Sequence, residues 1–269
     1  MKDYTYETLS AHVTRIVDKT GVCCYLVSGE RRACLLDTCS GIGNIREIVE
    51  QITKLPVFVI LTHAHLDHMG GAALFDEVYL HPADLPVFQK HGDMTFRIQD
   101  TIEHSPCEIQ AEELIPTYTG VLLPIYDTQL FDLGGVQIKM IAVKGHTLGM
   151  MCPLIVEERS IIFGDACGVS VLLFDEYSSC VSEYRQSLLH LKQYEQAYDT
   201  IYRNHGSFTS SKILLNHVID CCDDILRGED DQEPVDFHGQ RLYAARKIKG
   251  HGRADGEEGN ILYALEKAK

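Results

Sequence analysis

LTHAHLDHMGG, residues 61 to 71, places three histidines and an aspartate within six positions, directly after the apolar run Val57-Phe58-Val59-Ile60-Leu61. His63 and His65 are two apart in an extended segment, so their side chains leave the same face and can grip one metal ion. Asp67 and His68 come where the chain turns into a helix start at Met69-Gly70-Gly71, and they face a second position a few ångströms on. A strand end suits such a cluster, because ligand geometry has to be held by packing. One or two histidines here would be an ordinary polar strand-to-helix turn. Four coordinating side chains so close together point to a metal centre.

Two ions need more ligands, and three further candidates follow apolar strands downstream: His146 in VKGHTLGM, Asp165 in IIFGDAC and His205 in YRNHGS. Each sits beside a glycine, where the backbone can turn and the side chain can face inward. Taken singly, each reads as a capping aspartate or a hydrogen-bonded histidine. Their weight comes from recurring at four strand ends together.

Composition narrows the class. The chain has 269 residues, 45% of them apolar, enough for a substantial core. Lys+Arg number 24 against 39 Asp+Glu, a net charge of −15, and no basic cluster is dense enough to track a phosphate backbone. Nucleic acid is therefore not the expected partner; a small molecule is. MKDYTYETLSAH lacks the apolar centre of a signal peptide, and no run approaches the ~20 apolar residues that cross a bilayer. The expectation is a soluble, cytoplasmic protein with no membrane association; the oligomeric state is not legible. Ten cysteines without a Cys-x-x-Cys pair read as reduced core residues, Cys167 included.

Along the chain, HVTRIVD (12–18), GVCCYLVSG (21–29) and RACLLDT (32–38) read as a meander of strands, and NIREIVEQI (44–52) as a helix before the strand VFVILT. Residues 92 to 127 lose periodicity and contain Pro106, Pro116 and Pro124, which predicts an irregular lid near the site, with Phe96, Ile98, Leu114, Tyr118, Leu122, Leu123 and Tyr126 as its apolar lining. Tyr118 and Tyr126 are its candidate donors to substrate. Hairpins are expected around Asp132-Leu133-Gly134-Gly135 and Glu157-Glu158-Arg159. Amphipathic helices at 181–194 and 210–228 flank the strand YDTIYRNHG, and GEDDQEP (228–234) reads as a surface linker. The expected division is one domain over 1–230, with 231–269 a tail packed on it that adds a strand or a cap. His12, His81, His91, His104, His190, His217, His238 and His251 are read as surface or capping residues, with His238 the one whose tail could fold over the mouth.

From LLDTC at 35–39 through NHG at 204–206, the sequence resembles the metallo-β-lactamase superfamily, with a motif set like that of the glyoxalase II branch, which shares THAHLDHMGG closely. The resemblance implies an α/β fold, an αββα sandwich of two mixed β-sheets flanked by helices. It implies that His63, His65 and His146 bind one metal and Asp67, His68 and His205 the second, with Asp165 bridging both. Asp37 would hydrogen-bond to the ligands without being one. Departures narrow the branch. Cys39 stands where the superfamily usually has glycine; Asp165 is a bridging residue that authentic β-lactamases generally lack; and only 40 positions separate Asp165 from His205, too few for the inserted domain of family nucleases. His65 stands where oxygen- and nitric-oxide-reducing relatives have Glu, and Gly168 where many lactonases have Tyr.

Imidazole and carboxylate ligands without thiolate suit two Zn²⁺ ions, with iron or manganese as alternatives. Two ions sharing a solvent oxygen lower its pKa towards ~7. The expected function is thus a dinuclear hydrolase of a small ester, thioester or lactone. A metal-bridging hydroxide is its nucleophile, Asp67 and Asp165 are the carboxylates acting in catalysis, and Asp67 is able to carry a proton to the leaving group. The alternatives are a di-iron redox centre, a metal-stabilised non-hydrolytic protein of the same fold, or a phosphodiesterase.

Overall fold

The computed structural model describes residues 3–250 and 252–269; His251 lies outside the described residues. Seven strands form the first sheet in sequential order: β1 (Tyr4–Thr8), β2 (Val13–Asp18), β3 (Cys23–Ser28), β4 (Ala33–Leu36), β5 (Val57–Ile60), β6 (Val78–Leu80) and β7 (Leu122–Pro124). The first four run as an antiparallel meander and the last four are parallel. Both β3 and β4 are apolar on both faces, as strands covered on two sides must be.

Next come β8 (Leu130–Asp132), β9 (Gln137–Ala142), β10 (Met151–Ile155), β11 (Ser160–Ile162), β12 (Val171–Leu173), β13 (Thr200–Tyr202) and β14 (Thr209–Ser210). All of these except β12 make the second sheet, mixed because β11 and β13 are parallel. The two expected hairpins are present: Asp132 pairs with Gln137 across Gly134 and Gly135, both at positive φ, and Ile155 pairs with Ser160.

Tyr25, Leu36, Phe58 and Ile60 from the first sheet meet Ile138, Met140, Met151 and Ile162 from the second in one buried layer. Outside it, α1 (Ile45–Ile52) contributes Ile45 and Val49 to the core on the first sheet's outer face. On the far side, α5 (Val181–Lys192) and α6 (Ile213–Arg227) pack with Ile141, Cys152 and Ile161 of the second sheet. Helix, sheet, sheet, helix is the expected αββα layering. Between these lie α2 (Leu66–Met69), α3 (Leu85–His91) and α4 (Met94–His104).

Two stretches depart from expectation. Residues 94–104 are helical, not irregular, and the helix hid from periodicity because its buried positions are Arg97 and Thr101. Asp93 Oδ1 caps it by accepting from the Phe96 amide at 2.9 Å. Arg97 is buried and donates to the carbonyls of Ile115, Ser40 and Gly70, which tie the helix to the loops beneath the site; burial lowers its pKa to about 10.

The end of the chain also builds more than a single strand. β15 (Glu233–Phe237) and β16 (Gln240–Ala244) form a hairpin, β17 (Ile248–Lys249) and β18 (Gly252–Arg253) a short ribbon, and β19 (Ile261–Tyr263) lies between β16 and β12 in a third sheet. All ten cysteines are free and eight are buried, as expected of core residues. Among the described residues, no helix is long and apolar enough to cross a membrane.

Candidate metal centre and its cleft

β5, flanked by β4 and β6, ends at Ile60 and delivers Thr62 and His63 just beyond the carboxyl ends of the parallel strands, and α2 begins at Leu66, earlier than the Met69 expected. Asp67 and His68 therefore ride on the first helical turn. Glycines let this turn nest against the loop after β4. A Cβ on Gly70 would lie 2.1 Å from the Ser40 carbonyl carbon, and one on Gly41 2.1 Å from the Gly70 oxygen. The loop itself is bent by Asp37 at φ 66° and Cys39 at φ 54°, a left-handed backbone that glycine would adopt without strain.

His63 Nε2 lies 3.1 Å from His65 Nδ1, and His146 Nε2 lies 2.9 Å from the same nitrogen. A few ångströms away, His68 Nε2 and His205 Nε2 are 3.2 Å apart, with Asp67 Oδ2 3.3 Å from His205 Nε2 and 3.7 Å from His68 Nε2. Between the two groups stands Asp165. Its Oδ2 is 3.6 Å from His146 Nε2 and 3.7 Å from His68 Nε2, and its Oδ1 is 3.5 Å from His205 Nε2. All seven residues singled out in the sequence are brought together, and the sets His63, His65, His146 and Asp67, His68, His205 each have the spacing of a metal site.

The donor set fits metal ions better than protons. His63 Nδ1 donates to Thr62 Oγ1 at 3.1 Å, which leaves Nε2 with a lone pair; His146 Nδ1 donates to the Leu172 carbonyl at 3.1 Å with the same result. Two lone pairs thus face His65 Nδ1, which carries at most one proton. A tetrahedral zinc ion at 2.0–2.1 Å from its ligands would set them ~3.3 Å apart, within the range found here.

Asp37 belongs to neither set. Its Oδ2 accepts from His68 Nδ1 at 2.9 Å, from Thr62 Oγ1 at 2.9 Å and from Asn204 Nδ2 at 3.1 Å. Burial and the neighbouring imidazoles hold the His63 and His65 pKa values well below the usual range. Burial works against charge on His68 too, but Asp67, Asp37 and Asp165 outweigh it and push that pKa up. Asp165 is the converse: burial opposes its charge, and His205 and His68 hold it low.

Two residues at the site escaped the sequence reading. Asp84, fully buried, accepts from Ala64 N (3.1 Å), Thr147 Oγ1 (2.8 Å) and Gly149 N (2.6 Å), stapling the loop between His63 and His65 to the loop after His146. Burial raises its pKa to about 6. Its signal, an aspartate after His81-Pro82, was indistinguishable from a helix cap. His91, taken for a surface residue, packs against His65 with the rings tilted and their centroids 4.6 Å apart.

Five of the seven candidate ligands, His65, Asp67, His146, Asp165 and His205, line a cleft of about 950 Å³. Phe96 is the only residue of the expected apolar lining that reaches it; Ile98 and Leu114 pack beneath with Ile42, and the Tyr118 hydroxyl donates to the carbonyls of Asp76 and Val121. Tyr126 is exposed against His81. Leu66, Leu172, Phe174 and Phe237 add most of the remaining apolar wall, with Val22 and Pro106, and the exposed His104 and His238 also line it.

The chain is similar in sequence to proteins with named activities. The chain is 26% identical over 161 residues to the human acyl-coenzyme A thioesterase MBLAC2, a match covering 52% of this chain and 55% of that protein. Atrochrysone carboxyl ACP thioesterase dmxR1 of Cryptosporiopsis sp. is also 26% identical, over 59% of this chain and 44% of its own. The chain thus spans about half the length of these relatives. In fold, it matches a metallo-beta-lactamase from Pontibacter korlensis with a TM-score of 0.59 and 16% identity, over 82% of this chain and 99% of that one. A sequence model of the superfamily matches residues 17–198, from β2 past α5 and across six of the seven candidate ligands. The chain belongs to the metallo-beta-lactamase superfamily.

Proposed function

We propose that the protein is a metal-dependent hydrolase of small acyl esters, thioesters or lactones, working with two divalent ions, most simply zinc. One observation carries this reading: Asp165 stands between two converging ligand sets, 3.6 Å from His146 Nε2 and 3.7 Å from His68 Nε2, on the floor of an open cleft. Ions bound there supply Lewis acidity and acidify water in contact with them.

The chain's own groups do the rest. Nδ1 protons given to Thr62, Leu172 and Asp37 fix the Nε2 lone pairs of His63, His146 and His68 inward. Asp67 lies at the edge of the second set, half-buried, and is the carboxyl group within reach of a leaving group that needs a proton. Leu66 and Phe96 keep part of the cleft apolar and so strengthen the polar contacts within it.

Thioesterase names among the relatives support acyl chemistry. Away from the ions, the charge of the cleft wall disfavours anionic groups such as phosphates. Beyond the ligands, Asp100, Asp175, Glu176 and Glu266 line it against two lysines, and both lysines are engaged, Lys267 with the Ser178 carbonyl at 2.7 Å and Lys90 over the Tyr177 ring. Esters and phosphodiesters with a common 4-nitrophenyl leaving group, assayed at one pH and zinc content, test this. The esters are expected to have the higher kcat/KM; a faster phosphodiester series would replace the acyl reading with a phosphodiesterase.

A further inference from the structure

We propose that the tip of the β15–β16 hairpin is the acyl-recognition wall of this cleft, and that Phe174 and Phe237 select substrates whose acyl group is an aromatic ring or an apolar chain of medium length. This rests on the acyl-hydrolase reading above and names the half of the substrate that reading leaves open. A continuous line of contacts leads from the candidate ligands to the wall. The Leu172 carbonyl accepts from His146 Nδ1 at 3.1 Å, so β12 passes directly behind a ligand. Phe174, two residues on, shares the cleft-lining side with Leu172. Its ring meets Phe237 edge-on at 5.6 Å; Phe237 meets His238 at 4.3 Å; His238 meets His104 of α4 at 3.8 Å. The hairpin tip therefore reaches from the third sheet to His104 at the end of α4, the helix that also carries Phe96, and lines the cleft there.

Its geometry makes this wall a fixed one. Phe237 pairs with Gln240 across a two-residue loop, and both loop residues, His238 at φ 51° and Gly239 at φ 77°, are left-handed, the turn whose twist matches its flanking strands. Behind the rings lie Leu242, Ala244, Leu262 and Ala264, a small buried cluster that backs Phe174 and Phe237. In front, the two half-buried rings face the cleft. Apolar surface left facing a concavity beside a polar floor is what an apolar ligand group covers, and a ring or chain of several carbons covers it where an acetyl group does not.

N-acetylcysteamine thioesters carrying acetyl, hexanoyl and phenylacetyl groups, presented to the zinc-loaded full chain, test the wall. The hexanoyl and phenylacetyl thioesters are expected to exceed the acetyl one by about tenfold or more in kcat/KM. That preference should collapse in Phe237→Ala, through KM more than kcat, and largely survive in Phe237→Leu, which keeps the hairpin's apolar backing. Calorimetric titration of phenylacetate into the same proteins reads the wall without turnover, with about tenfold weaker binding expected in Phe237→Ala. Turnover with no acyl preference, or a preference that persists in Phe237→Ala, overturns the proposal. Phenylacetate binding that depends on Phe237 in a protein that cleaves none of the thioesters upholds the wall and removes the hydrolase reading instead.

Discussion

Asp37 Oδ2 accepts the Nδ1 proton of His68 at 2.9 Å, and through Thr62 Oγ1 the same oxygen also steadies His63. One buried carboxylate thus orients a histidine in each candidate ligand set. Removing such a partner typically weakens metal binding ten- to a hundredfold. Asp37→Ala is expected to weaken both ions by about that much, read by competition with a chromogenic chelator. A variant that loses affinity at one position only would show that the Thr62 link carries no energy.

Asp84 holds the first set from behind. Asp84→Ala would leave the Ala64 and Gly149 amides and the Thr147 hydroxyl without their acceptor in a buried site, where each orphaned group costs ~1–3 kcal/mol before water or relaxation recovers part of it. A loss of about 2–4 kcal/mol in the urea unfolding of metal-free protein is expected. A change below ~0.5 kcal/mol would mean that the two loops hold their places without it.

His91 gives the fold a pH dependence of defined sign. Burial against His65 lowers its pKa to about 4, although Asp67 pulls the other way, so it is neutral in the fold; in the unfolded chain it takes up a proton as pH falls through ~6.5. The unfolded state therefore binds more protons between these values. Stability is complete above ~6.5 and is lost as pH falls towards 4, by at most ~3 kcal/mol and by less to the extent that water reaches the ring. His91→Phe should flatten that slope in metal-free protein, measured as the urea midpoint at pH 7, 6 and 5. Parallel profiles for the two proteins would contradict the assignment.

Most of the candidate site was legible because it sits where strands end. His63, His65, His146, Asp165 and His205 each follow an apolar run, and such runs are the strongest signal a single sequence carries. The strands themselves were readable for the same reason, whereas their layering into a sandwich was implied by the resemblance to the superfamily. Asp84 was not legible, because a buried acceptor and an exposed helix cap have one sequence signature, and only tertiary contact tells them apart. α4 was missed because it turns Arg97 inward to three backbone carbonyls, so polarity no longer marked its exposed side. The wall at Phe237 was invisible as well, since its contact with Phe174 joins segments 63 positions apart.

Two ions per chain is the central claim, and metal content tests it most directly. Protein expressed in zinc-replete medium and freed of loose metal is expected to hold two equivalents by elemental analysis. Asp165→Ala should hold fewer than two and lose most turnover while its far-ultraviolet circular dichroism stays native, because the cores lie in the sheets and helices and not at the ligands. One equivalent or less in the unaltered protein, or full occupancy with near-native rates in Asp165→Ala, would contradict the account.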